Sequence, residues 1–193
     1  MKKIEHYIRH LQKIKPVCNL EPPRPDDEIY MKECLQLARH AGACGEIPVG
    51  AVVLHNGKII GTGKNTREQE HSALGHAELT AISEACASRG SWRLDNCTLY
   101  VTLEPCPMCA GAIEQARIDR VVIGAASDKS GCAGSLLNIV ANEKLMHQSE
   151  ITRDVLADEC RGLLQQFFRD LRIRNRMLRK GAAAETTEGI SEG

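Results

Sequence analysis

No apolar run in this chain of 193 residues approaches the ~20 residues that cross a bilayer; the longest, at residues 47–54, is far shorter. The start is basic with no apolar stretch behind it, so neither a membrane anchor nor a secretory leader is expected. Net charge is also lacking: 25 Lys and Arg balance 25 Asp and Glu, and the bulk electrostatics single out no partner. No internal repeat is present, which excludes solenoid architectures. Nine cysteines form an odd set spread along the chain. That count argues against a disulfide framework and for reduced thiols with a metal site, in the cytoplasm.

What is present suits one soluble domain, with 42% hydrophobic and 26% charged residues. Charge is uneven locally. Lys2, Lys3, Arg9, Lys13 and Lys15 crowd the first residues against Glu5 alone, and Arg172, Arg174, Arg176, Arg179 and Lys180 run without an acid. Any nucleic-acid contact is expected at these ends. Residues 1–26 read as a basic, proline-rich extension, because Pro16, Pro22, Pro23 and Pro25 break the chain before Asp26 and Asp27 offer helix-capping carboxylates.

The periodicity predicts a helix over 27–43, with Ile29, Met31, Leu35, Leu37 and Ala38 as its apolar face and Gly45 as its stop. Strands at 49–54 and 58–61 flank Asn56-Gly57, a dipeptide suited to a tight hairpin turn. A helix at 76–87, a strand at 97–103, a helix at 107–116 and a strand at 120–123 follow, an alternation that implies parallel strands. Residues 136–140 fit no single element, and Ile151 ends a further strand. A long helix over 154–180 turns Leu163, Leu164, Phe167, Phe168 and Leu171 to the core. The folded domain thus spans 27–180, and residues 181–193 have the composition of a disordered tail.

Two segments carry chemistry. His76-Ala77-Glu78 and Pro105-Cys106-Pro107-Met108-Cys109 each follow a loop and open a predicted helix. Cysteines at i and i+3 share a helical face, so both sulfurs reach one ion, and the helix N-terminus favours their thiolates. Taken alone, Cys106 and Cys109 fit a redox pair or half of a closed zinc site as readily, and a histidine beside a carboxylate is common on helices. Joined, one imidazole and two thiolates leave the fourth position of zinc open, as catalytic sites require. Zinc lowers the pKa of water from ~15.7 towards ~7, next to a carboxylate, Glu78, that takes and returns protons. The pairing, about thirty residues apart, matches the pattern of zinc-dependent nucleobase deaminases.

From about residue 46 to residue 172 the chain resembles the bacterial tRNA-specific adenosine deaminases. The likeness is carried by Glu46-Ile-Pro-Val-Gly-Ala-Val-Val53, by His76-Ala77-Glu78, by Trp92 through Ile113 with Leu103-Glu104-Pro105-Cys106 at its centre, by Gly131-Cys-Ala-Gly-Ser135 and by Leu156-Ala-Asp-Glu-Cys160. The resemblance implies a three-layer α/β/α sandwich of the cytidine-deaminase type on a mixed five-stranded sheet. It also implies a homodimer, Zn2+ held by His76, Cys106 and Cys109, and conversion of the wobble adenosine in a tRNA anticodon stem-loop to inosine. Asn65 would hydrogen-bond the purine, and the backbone at Ala77 would touch the base edge. Two stretches depart from the family pattern: Ser72-Ala73-Leu74-Gly75 stands for Asp-Pro-Thr-Ala, and Ala126-Ser127 for Arg-Asp. A related enzyme acting on a free base or nucleoside (guanine, cytosine or adenosine) is the alternative, against which the basic final helix speaks.

Overall fold

The computed structural model describes residues 20–188, and side chains up to residue 178. The expected basic helix within residues 1–15 and the last residues, 189–193, lie outside the described residues. Nine elements follow in chain order: α1 Asp27–Ala43, β1 Gly50–His55, β2 Lys58–Lys64, α2 Ala77–Arg89, β3 Cys97–Leu103, α3 Pro107–Ala116, β4 Arg120–Ala125, β5 Glu150–Thr152 and α4 Ala157–Glu188. The five strands form one sheet in the order β2-β1-β3-β4-β5. β1 pairs antiparallel with both β2 and β3, while β3–β4 and β4–β5 are parallel.

The two-residue period of the strands sorts their side chains into two cores. Ala51 and Val53 of β1 and Leu99 and Val101 of β3 join Ala77, Ala81, Ala110 and Ile113 of α2 and α3 on one face. Val52, Leu54 and Tyr100 point the other way, to Met31, Cys34 and Leu35 of α1 and Cys160 of α4. The result is the expected three-layer α/β/α sandwich on a mixed five-stranded sheet. Asn56 and Gly57 both take positive φ, 50° and 73°, in the β1–β2 hairpin, the geometry in which the turn's twist matches that of the strands.

Several expectations are corrected by tertiary contacts. Ile29 is exposed; the buried stripe of α1 is Met31, Cys34, Leu35, Ala38 and Ala41. Asp27 does not cap its helix. It is buried and bidentate to Arg120, at 2.8 and 2.7 Å, with the Tyr100 hydroxyl donating to it at 2.9 Å. Asp154 and Leu156 have φ of 63° and 51°, a left-handed region outside the right-handed helix, so α4 starts at Ala157 and not at 154. It then runs past Gly181 to Glu188, through three alanines that favour helix. Phe168, expected inside, is exposed and meets Phe167 edge-on at 5.5 Å. Residues 136–140 form no named element, only a bridge between Ala133 and Asn138.

Part of the expected extension is tied to the domain. Leu20 bridges Ile151 in parallel, the Glu21 N–H donates to the Ile151 carbonyl at 2.8 Å, and Arg24 meets Glu150 at 3.0 Å. At the opposite edge, Glu84 of α2 accepts from both the N–H and the hydroxyl of Thr62 on β2, at 2.7 and 2.9 Å.

Candidate active site

Two helix starts build the site. His76 and Cys106 are the N-cap residues of α2 and α3, both in extended backbone, and neither spends its side chain on capping. Each side chain is therefore free to turn inward. α2 lies hard against β2, because a Cβ at Gly63 would stand 1.9 Å from the Ala77 carbonyl oxygen. Only glycine lets the strand come this close, and the contact sets the height of His76 and buries Ala77. Pro107 occupies the first turn of α3, where its missing N–H removes nothing.

His76 Nδ1 lies 3.7 Å from Cys106 Sγ and 3.5 Å from Cys109 Sγ, and all three donor atoms fall within 4.8 Å of one another. Zinc bonds of about 2.3 Å to sulfur and 2.1 Å to nitrogen, at a tetrahedral angle, put S and N about 3.6 Å apart. The donors present therefore fit zinc in both chemistry and spacing, with one coordination position left for a fourth ligand. The Cys109 thiol and the Met108 and Cys109 N–H groups, helped by His76, push Cys106 down to about 5 against the effect of burial. Cys109 is raised in turn, by Cys106 first and by burial second.

Glu78, one residue into α2, is buried. That burial pushes its carboxyl above the usual carboxylate range, against the pull of its own backbone N–H, His76 and the Cys109 thiol. A carboxylate with enhanced proton affinity beside the ligand set is suited to carrying protons. Asn65 ends up just beyond β2, its N–H donating to the Val49 carbonyl at 3.0 Å. The adjoining Thr66 N–H bonds the Gly75 carbonyl at 2.9 Å, which brings Asn65 to the loop that enters His76.

Sequence reasoning missed the groups that hold this arrangement. Glu104, two residues before Cys106, is fully buried. It accepts from the N–H groups of Ser127, Ala133 and Ser135 at 3.0, 2.9 and 3.1 Å, from the Ser135 hydroxyl, and from Arg153 at 3.3 Å. One carboxylate thereby folds residues 127–135 over the start of α3, and the Cys132 N–H adds a bond to the Pro105 carbonyl. Gly131 is obligatory here, since a Cβ would meet Glu104 Oε2 at 2.3 Å. The departure at Ser127 is absorbed into this loop, its hydroxyl 3.1 Å from that of Ser130. A carboxylate closing an otherwise apolar strand was the available signal for Glu104. Phe167 is half-buried and lines a groove of about 300 Å3 with Gly42, Gly45, Asp170, Leu171 and Arg174.

An α/β/α sandwich with a His-Cys-Cys triangle and a buried glutamate at two helix N-termini defines a zinc-dependent deaminase. Residues 24–125 match the cytidine and deoxycytidylate deaminase zinc-binding region. The tRNA-specific adenosine deaminase of Bacillus subtilis is 49% identical over 154 residues, 80% of this chain and 96% of that one. A solved tRNA:A34 deaminase, which edits A to I at the wobble position, superposes with a TM-score of 0.68 at 35% identity, over 70% of this chain and 98% of its own. The guanine deaminase of Nitrosomonas europaea gives 0.65 at 26% identity, over 75% and 84%. The chain belongs to the tRNA-specific adenosine deaminases, within the zinc-dependent cytidine and deoxycytidylate deaminase family.

Proposed function

We propose that the chain hydrolyses the wobble adenosine of tRNA to inosine, binding it as an anticodon stem-loop. The observation that carries the chemistry is the His76-Cys106-Cys109 triangle with Glu78 buried beside it. A zinc ion held by these three residues supplies the Lewis acid that makes water reactive near neutral pH. The chain's own part is proton management and placement. Glu78 takes a proton from the water that adds at the amino-bearing ring carbon and gives one to the ring nitrogen. It then takes the remaining proton from the added hydroxyl and delivers it to the departing amine, so that the carbonyl forms as the carbon–nitrogen bond breaks and water and adenosine become inosine and ammonia. Asn65 hydrogen-bonds the purine, and the backbone at Ala77 holds the base edge.

Support for a polymer over a free purine comes from α4. In its later turns Arg172, Arg174 and Arg176 are exposed and make no ion pair among the described residues. A free base has no phosphates for such a surface to meet. A homodimer is part of the same reading. Gly111 leaves open space on the surface of α3, and Leu136, Leu137 and Met146 are exposed apolar side chains that a second copy could cover. No helix among the described residues is long and apolar enough to cross a membrane, and the free cysteines suit the reducing cytoplasm. The test is ammonia release from a panel of anticodon stem-loops with adenosine at the wobble position, set beside adenosine, cytosine and guanine. Release from stem-loops supports the reading, and release from free bases alone overturns it.

A further inference from the structure

The segment that begins at Glu46 is shared with the family, but neither zinc binding nor proton transfer uses Glu46. Its position follows from how α1 ends. Gly45 takes a φ of 84°, the Gly45 N–H bonds the Gly42 carbonyl at 3.0 Å, and the Glu46 N–H reaches back to the Ala41 carbonyl at 3.0 Å. This closure turns the chain inward and leaves Glu46 fully buried. A carboxylate there is costly unless its oxygens are occupied. No cationic side chain pairs with it among the described residues. Oε2 accepts instead from Asn65 Nδ2 at 3.3 Å, and Oε1 from the Gln69 backbone N–H at 2.7 Å.

Both partners bear on the base pocket. Gln69 lies in the loop of residues 66–75, whose ends are closed by Thr66 and Gly75 and which enters α2 at His76. Asn65 is the residue expected to read the purine. A primary amide has one donor side and one acceptor side of nearly the same shape, so its orientation must be set by its surroundings. A carboxylate only accepts, and the side of Asn65 that faces Glu46 must therefore be the NH2. The amide oxygen and the second N–H, which have no partner among the described residues, are then presented in fixed places.

We propose that Glu46 is a positioning residue for base recognition: it locks the amide orientation of Asn65 and anchors the loop of residues 66–75, so that one donor and one acceptor meet the purine in set positions. This rests on Asn65 contacting the base, as in the reading above. Burying a lone carboxylate is explained by that function, since an apolar side chain at this position would pack as well but leave the amide free to flip.

The experiment combines nuclear magnetic resonance of the Asn65 side-chain amide with kinetics on an anticodon stem-loop. It uses the zinc-loaded wild type, Glu46→Gln, Asn65→Ala and the double variant. In the wild type the Asn65 NH2 protons should be resolved and slow to exchange with solvent, and Glu46→Gln should remove that protection. KM should rise about tenfold in Glu46→Gln, the equivalent of one buried hydrogen bond, with kcat and zinc content little changed. In the Asn65→Ala background the same substitution should add almost nothing to KM. If Glu46→Gln fails to fold, Glu46→Asp, which retracts the carboxylate by one methylene, should shift amide exchange and KM in the same direction. Fast exchange of the wild-type amide, or KM effects that simply add, overturns the proposal. Coupled effects on guanine turnover in a chain inactive on every stem-loop would keep the Glu46–Asn65 link and overturn the tRNA reading instead.

Discussion

Glu78 and the three residues proposed to hold the metal stand out in the sequence because their chemistry is local. Each pair sits on one helical turn, and the spacing of the two segments speaks for itself. Replacing Glu78 with Gln keeps the shape of the side chain and removes its ability to move protons. Zinc should stay bound while turnover falls by more than the ~10²–10⁴ typical of one general acid–base group, because the same carboxylate serves several transfers. Metal analysis beside ammonia release checks this, and near-normal turnover would remove Glu78 from the mechanism. Asp27, Glu46 and Glu104 were not legible in the same way, since their partners come from elsewhere in the chain. Arg120 is 93 positions from Asp27, and only folding introduces them. Burial pulls the Asp27 carboxyl up, but Arg120, the Arg24 N–H and Tyr100 hold it below its ordinary 3.8. Its folded state thus releases the proton more readily than the unfolded chain does. The stabilisation is therefore complete above about pH 4 and is lost as pH falls through the folded value. Asp27→Asn leaves Arg120 buried without its counter-charge and should cost about 3–5 kcal/mol at pH 7. Urea unfolding at a series of pH values should show the gap between the two proteins closing as pH drops below about 4.

Element boundaries were most readable where a strong local punctuator coincided with the packing. The Asn56-Gly57 turn, Pro107 at the start of α3 and the apolar run of β3 are such cases. Where the backbone conformation depends on distant contacts, as at Asp154 and Leu156 before α4, composition gave no warning. The far part of α4 raises a question of purpose, for an isolated helix of this kind gains little from its own propensity. At helical spacing Arg169, Arg172 and Arg176 share one face. Changing these three to Gln should leave folding and zinc intact but weaken stem-loop binding. The dependence on salt should become shallower by roughly 0.7–0.9 for each phosphate that is no longer neutralised. Fluorescence anisotropy over a range of potassium chloride concentrations measures both. An unchanged affinity and slope would make the helix a solvated face only.

For the molecule as a whole, the metal links stability to activity. A zinc ion held by the assembled triangle in preference to the open chain would add its binding free energy to that of folding. Dialysis against a chelator should lower the thermal midpoint and abolish turnover together, and one equivalent of zinc per chain should restore both. Sedimentation at micromolar concentration should give twice the mass of the 193-residue chain. A monomer at that concentration would contradict the proposed dimer without touching the chemistry. The alternation of elements announced the parallel strands, and the resemblance to the family implied the three layers, yet the strand order was not readable, because pairing between β1 and β3 spans α2 and depends on the two-sided core.

Both margins of the sheet are occupied from within the chain. The Leu20–Glu21 segment lies along β5, and Glu84 reaches over from α2 to take the outward N–H of Thr62 on β2. A bare strand margin is a template on which a second molecule can add, and proteins that leave one open tend to polymerise when crowded. Here the backbone groups that would recruit such a neighbour are spoken for at these points. At these points a crowded neighbour finds no free strand margin on which to add.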